Sequence, residues 1–162
     1  MSFAIKRQRD AMDCGPSCLA MIAKHYGQQA DKEQLRKICS LGKDGVSLLG
    51  ISKAAEEIGF KTIGGRLSFD TLTSEVPLPC IIHWNQNHFV VVYKIKKRRG
   101  NRYEVYVADP GKGLITYTKE EFCEHWVVLR PMARRKVLPF FLNRQNSFML
   151  KTTRKQCRLK GE

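Results

Sequence analysis

The chain has 162 residues, is 43% hydrophobic and 27% charged, and carries a formal net charge of +14. That length suits one folded domain, and the composition excludes a disordered chain. No apolar run approaches the roughly 20 residues of a membrane span, and no apolar segment follows the basic N-terminus as a secretion signal requires; the expected setting is the cytosol, or the cytosolic part of something larger.

The first half reads as helices. Gly15 to His25 is bounded by Cys14-Gly15-Pro16 in front and Gly27 behind, with Pro16 in a first turn that needs no N–H from it. Cys18, Leu19, Ile22 and Ala23 form its apolar face. Asp31 to Ile38 is a second helix, with Leu35 and Ile38 inward and Asp31 favourable at its start. Ser47 to Ile58 is a third, capped by Ser47 and ended by Gly59.

The second half reads as strands over Lys61–Arg66, Cys80–Trp84, His88–Ile95, Tyr103–Ala108 and Trp126–Leu129. Asp109-Pro110-Gly111 is a turn. Thr118–His125 is a short helix, opened by a Thr118/Glu121 capping box. Helices followed by antiparallel strands make an α+β order, with no strand–helix alternation to support a doubly wound sheet. Six basic residues in Lys94–Arg102 mark a hairpin loop around Gly100-Asn101. Residues 1–129 hold 19 basic and 14 acidic side chains, a net of +5, whereas 130–162 hold 10 and one, a net of +9. The expected division is a folded domain over 1–138 and a basic tail or truncated connector over 139–162.

Cysteines stand at 14, 18, 39, 80, 123 and 157 without a CxxC pair, and a chain this long needs no disulfide staple. All six are expected as reduced thiols, mostly small buried hydrophobes. Cys14 differs by lying just before a helix, where free backbone N–H groups and the helix dipole favour negative charge. His88 opens the run Phe89-Val90-Val91-Val92, and Asp109 ends the next strong strand. In an antiparallel hairpin the start of one strand lies beside the end of the next, so the two are expected neighbours. A carboxylate there can hold one imidazole nitrogen and present the other to a thiol. Taken singly, each residue also has a plain structural explanation: a core cysteine, a strand-end histidine, a turn-forming aspartate. Trp84 could wall a substrate cleft or fill the core, and Asp13 could fix a loop or meet substrate. His25 and His125 are expected to be structural. His83 and His88, five apart on or near a strand, make a poor metal pair, and no Cys/His set has zinc spacing.

Gln8-Arg9-Asp10-Ala11-Met12-Asp13-Cys14-Gly15-Pro16-Ser17-Cys18 resembles the cysteine motif of bacteriocin-processing peptidases, the N-terminal cytosolic domains of peptidase-containing ABC transporters. His83-Trp84-Asn85-Gln86-Asn87-His88-Phe89-Val90-Val91-Val92 resembles the histidine strand of that family, and Val107-Ala108-Asp109-Pro110 its aspartate strand. Gly113, Phe122 and Trp126 fall where the family has its late glycine, short helix and final strand, so the likeness covers roughly residues 3–131. It implies a papain-like fold, a helical half packed on an antiparallel sheet, that cuts leader peptides after Gly-Gly or Gly-Ala. It also implies Cys14 as nucleophile, His88 as general base, Asp109 as the residue orienting His88, and Gln8 as oxyanion donor. The partners implied are a precursor peptide with a double-glycine leader and a transporter's membrane and ATP-binding domains. No cofactor, metal or specific nucleic acid is expected, and the isolated domain is expected as a monomer.

The strict papain signature is absent, because Pro16 and Ser17 precede Cys18, and Asp109 stands where papain-type enzymes use asparagine. No membrane span follows Leu138, which leaves an excised domain, a stand-alone peptidase or a truncated product as alternatives. A leader-binding module without cleavage is disfavoured by the presence of both Cys14 and His88. Nucleic-acid binding has the basic charge in its favour and no recognised motif, and isopeptidase activity has no sequence support.

Overall fold

A computed structural model describes residues 3–39, 46–64, 67–85, 87–126 and 140–143. Three helices come first: α1 (Cys14–His25), α2 (Lys32–Cys39) and α3 (Leu48–Glu57). There follow β1 (Lys61–Gly64), α4 (Phe69–Ser74), β2 (Cys80–Trp84), β3 (His88–Lys97), β4 (Tyr103–Asp109), β5 (Gly113–Thr118), α5 (Lys119–Trp126) and β6 (Phe140–Asn143). The strands form one sheet in the order β1-β6-β2-β3-β4-β5, antiparallel at every junction. Among the described residues no helix is long and apolar enough to cross a membrane.

The expected caps form. Ser47 Oγ accepts from Gly50 N at 3.0 Å and so opens α3. At α5, Thr118 N donates to Glu121 Oε2 at 2.9 Å and Glu121 N donates to Thr118 Oγ1 at 3.3 Å, a reciprocal capping box. In the β3–β4 hairpin, Gly100 and Asn101 turn the chain with φ of +73° and +57°, and β3 extends to Lys97.

Both faces of the sheet are covered, and the side-chain period of two divides the central strands between them. Ile81, Phe89, Val91 and Ala108 pack with Leu19, Met21, Ile22, Leu35, Ile51 and Phe60, on the side of α1, α2 and α3. Ile82, Val90, Val92, Val105 and Val107 pack with Phe69, Leu72, Trp84, Phe122 and Trp126, on the side of α4 and α5. This is why the Phe89–Val92 run is apolar without alternation: each face of β3 meets its own core.

Several elements differ from the sequence reading. Helix α4 is absent from it, being only six residues long with Phe69 and Leu72 as its buried pair. Strand β5 is absent too, because it is an edge strand whose residues after Gly113 are all at least partly exposed. Trp126 closes α5 rather than opening a strand, and 127–129 lie outside the described residues. The sequence places 139–162 in a basic tail, yet the backbone of Phe140–Asn143 pairs with both β1 and β2. Through it β1 joins the sheet.

At Gly15 the side chains of Val46, just ahead of α3, and of Ile51 in α3 press close to the α1 backbone. A Cβ at this position would lie 2.5 Å from Val46 Cγ1 and 2.9 Å from Ile51 Cδ1. Gly15→Ala is therefore expected to force the two helices apart and cost about 1–3 kcal/mol, the usual range for overpacking. A thermal melt checks this; an unchanged Tm would mean that the close approach is not structural.

Candidate active site

The β3–β4 register pairs Val91 with Ala108. The start of β3 therefore lies beside the end of β4, and His88 Nε2 meets Asp109 Oδ1 at 2.8 Å. Asp109 is buried, and the same Oδ1 accepts Gly111 N at 2.8 Å and Lys112 N at 3.3 Å from the turn that follows it. Burial opposes ionisation of this carboxyl, but His88 and the two backbone donors outweigh it and hold Asp109 below its ordinary value.

Cys14 begins α1 at 3% exposure, and its side chain is near enough to the His88 imidazole to favour the protonated ring. Since Asp109 occupies Nε2, Nδ1 is the ring nitrogen left for sulfur. Burial pulls the imidazolium down, yet the hydrogen bonds and charges of Asp109 and Cys14 prevail and push His88 up to about 9. The structure thus brings Cys14, His88 and Asp109 into one continuous chain of contacts.

Gln8 reaches the same place from the N-terminal segment. Its backbone N–H donates to Pro110 O at 3.0 Å, in the turn after Asp109. A Cβ on Gly111 would lie 3.3 Å from Asp109 Oδ1 and 3.7 Å from Gln8 Nε2, so glycine leaves room for both side chains. Gln8 Oε1 is buried and takes no hydrogen bond among the described residues.

The other described thiols are set apart. Cys18 lies one turn after Cys14 and donates to Phe89 O at 3.3 Å; burial, with the charges of Cys14 and Asp109, drives its thiol well above the ordinary value. Burial pushes Cys39 and Cys80 up to about 12 and raises Cys123 as well. Cys157 lies outside the described residues. Trp84 belongs to the core, packed on Tyr117, Phe122 and His125. His125 stacks on Trp84 and pairs with Asn85 Oδ1 at 3.1 Å. His25 packs against Phe3 and Tyr26. His83 and His88 stand on the paired strands β2 and β3, not on one strand, and His83 stacks on Phe89. Among the described residues no group of three His, Cys, Asp or Glu side chains could hold a metal ion.

Sequence reasoning missed Lys32 and Arg36. Both sit on α2, four residues apart, and both form ion pairs with Asp13 beside Cys14. Their spacing puts them on one helix face, which was a legible signal, but nothing local identifies the carboxylate they meet.

Residues 2–135 match the model of the Peptidase C39 family. The lactococcin-G-processing and transport ATP-binding protein LagD of Lactococcus lactis is 38% identical over 139 residues, covering 82% of this chain and 19% of that protein. The colicin V secretion/processing ATP-binding protein CvaB of Escherichia coli is 36% identical over 119 residues, covering 74% of this chain and 16% of that protein. The chain therefore spans less than a fifth of the length of these relatives. Among solved structures, a double glycine motif protease from an AMS/PCAT transporter, in complex with the leader peptide, superposes with a TM-score of 0.73 at 31% identity, covering 87% of this chain and 91% of that one. The peptidase domain of Streptococcus ComA superposes with a TM-score of 0.73 at 28% identity, covering 89% and 100%. The α+β, papain-like architecture is the one these peptidase domains share. With the family match spanning most of its length, the chain belongs to the Peptidase C39 family.

Proposed function

We propose that this chain is a cysteine endopeptidase that removes double-glycine leaders from exported peptide precursors, as the processing domain of an ABC transporter at the cytosolic membrane face. The observation that carries this reading is the chain of contacts Cys14–His88–Asp109, with Asp109 fixed from behind by the backbone of its own turn. The names of the similar transporters and of the leader-bound protease support the substrate class.

In this reading, Cys14 Sγ adds to the carbonyl carbon of the scissile peptide bond. The oxygen gains negative charge and takes hydrogen bonds from the Gln8 side-chain amide and the Cys14 backbone N–H. Collapse expels the amine, which takes the proton from His88 and leaves an acyl-enzyme. Neutral His88 then accepts a proton from water as the hydroxide oxygen adds to the thioester. A second collapse expels the Cys14 thiolate beside the His88 imidazolium and frees the leader as its carboxylic acid, which loses its proton to solvent. Asp109 holds the ring throughout and favours its protonated form. No step calls for a cofactor.

The decisive experiment incubates the protein with a panel of precursor peptides and reads cleavage by mass spectrometry. A single cut after Gly-Gly or Gly-Ala, dependent on apolar residues upstream in the leader, is expected. Binding without cleavage, or efficient cutting of unrelated short peptides at Lys or Arg, would overturn the reading.

Two variant series test the roles. An oxyanion donor acts chiefly in the transition state, so Gln8→Ala should lower kcat by about 100-fold or more with KM nearly unchanged. A KM effect at normal kcat would make Gln8 a substrate-positioning residue. His88 is held at about 9, above its ordinary 6.5, so it keeps its proton through neutral pH. The stability it contributes is complete below pH 6.5 and is lost as pH rises through about 9. Activity should accordingly fall on an alkaline limb near pH 9, and Asp109→Asn should move that limb toward neutrality. A limb that Asp109→Asn leaves in place would show that another group sets it.

A further inference from the structure

Asp13 immediately precedes Cys14 and is only 1% exposed. A carboxylate this deep must be compensated, and its partners are known. It lies 3.1 Å from Lys32 Nζ and 3.2 Å from Arg36 Nε, and Oδ2 accepts the backbone N–H of Arg9 at 3.2 Å. Burial opposes its ionisation, but Lys32, the Arg9 N–H and Arg36 prevail and hold Asp13 below its ordinary value. Oδ1 has the Arg36 ion pair but no hydrogen bond among the described residues, and with 1% of it exposed Asp13 is not placed to receive a substrate side chain.

The network converges on Gln8. Lys32 Nζ, besides pairing with Asp13, donates to Arg7 O at 3.1 Å. Arg36 pairs with Asp10 as well as Asp13, and Asp10 Oδ1 accepts Met12 N at 2.9 Å in the turn that leads into α1. Three successive backbone groups are thus fastened: Arg7 O by Lys32, Gln8 N–H by Pro110 O, and Arg9 N–H by Asp13. The peptide groups on both sides of Gln8 are held by a carboxylate one residue from Cys14 and by the helix that clamps that carboxylate.

From this we infer that Asp13, Lys32 and Arg36 are positioning residues that set the Gln8 side chain relative to Cys14, so that α2 acts on the oxyanion through the segment between residues 7 and 13. The inference rests on the proposed role of Gln8. It predicts a specific pattern: loosening the network should weaken transition-state stabilisation while leaving substrate binding and the thiol untouched.

Asp13→Asn is the obvious variant, but burial makes its folding uncertain. Lys32→Met and Arg36→Met are preferable, because both side chains lie at the edge of the network and each leaves Asp13 one cation. Kinetics on a double-glycine precursor, a thermal melt and the rate of Cys14 alkylation by iodoacetamide should be measured for each. A loss in kcat of about tenfold is expected, with KM and alkylation within twofold of the parent. The same substitutions introduced into Gln8→Ala should cost less than threefold, because the group they position is already gone. Equal losses in both backgrounds, a matching fall in alkylation, or no loss in folded Lys32→Met and Arg36→Met proteins would overturn the inference. If Gln8→Ala itself keeps full kcat, the role of Gln8 fails first and the inference falls with it; if Gln8→Ala is impaired and the α2 variants are not, the inference alone fails.

Discussion

Helix α1 buries ten successive residues, Cys14 to Ala23, and so must be enclosed on all sides. It lies against β3, with α2 and α3 closing over it. That enclosure fixes where the helix starts, and the start is Cys14. The same strand that covers α1 begins at His88. Cys14 and His88 therefore meet because two core elements pack together, one beginning with a thiol and the other with an imidazole. Rigid elements hold such groups more closely than loops do.

Asp109 is the pivot of the polar side. An unpaired buried carboxylate would be costly, and this one has three hydrogen-bond partners: the His88 ring and the N–H groups of Gly111 and Lys112. The Asp109-Pro110-Gly111 turn does more than reverse the chain. Its N–H groups orient the carboxylate, Pro110 O holds the Gln8 backbone, and the absence of a side chain at Gly111 leaves room for Gln8. Asp13 solves the same burial problem with two cations from α2. Two buried carboxylates thus brace the site, one behind His88 and one beside Cys14.

What was legible in the sequence follows from how local each signal is. Ser47 and the Thr118/Glu121 box announce helix starts through short-range hydrogen bonds, and both form. The Phe89–Val92 run announces a doubly covered strand. The closeness of His88 and Asp109 follows from antiparallel pairing alone, which is why two residues 21 apart could be joined in advance. Helix α4 is one short turn-rich segment, and β5 is a half-exposed edge whose pattern is weak. Strand β6 sits inside a basic stretch that reads as tail, and its pairing with β1 and β2 is a long-range event that no local pattern encodes. The partners of Asp13 were hidden for the same reason: Lys32 and Arg36 look like an ordinary charged helix face until α2 is placed beside the loop before Cys14.

His88 and Asp109 single out one thiol, Cys14, from a set of buried cysteines. Substoichiometric alkylation of the native protein, with peptide mass mapping of every cysteine, tests it most directly. Cys14 should be modified first, and its rate should drop when His88 is replaced by alanine. Preferential labelling of Cys39 or Cys123 with Cys14 unmodified, or a Cys14 rate indifferent to His88, would show that the imidazole does not activate this thiol.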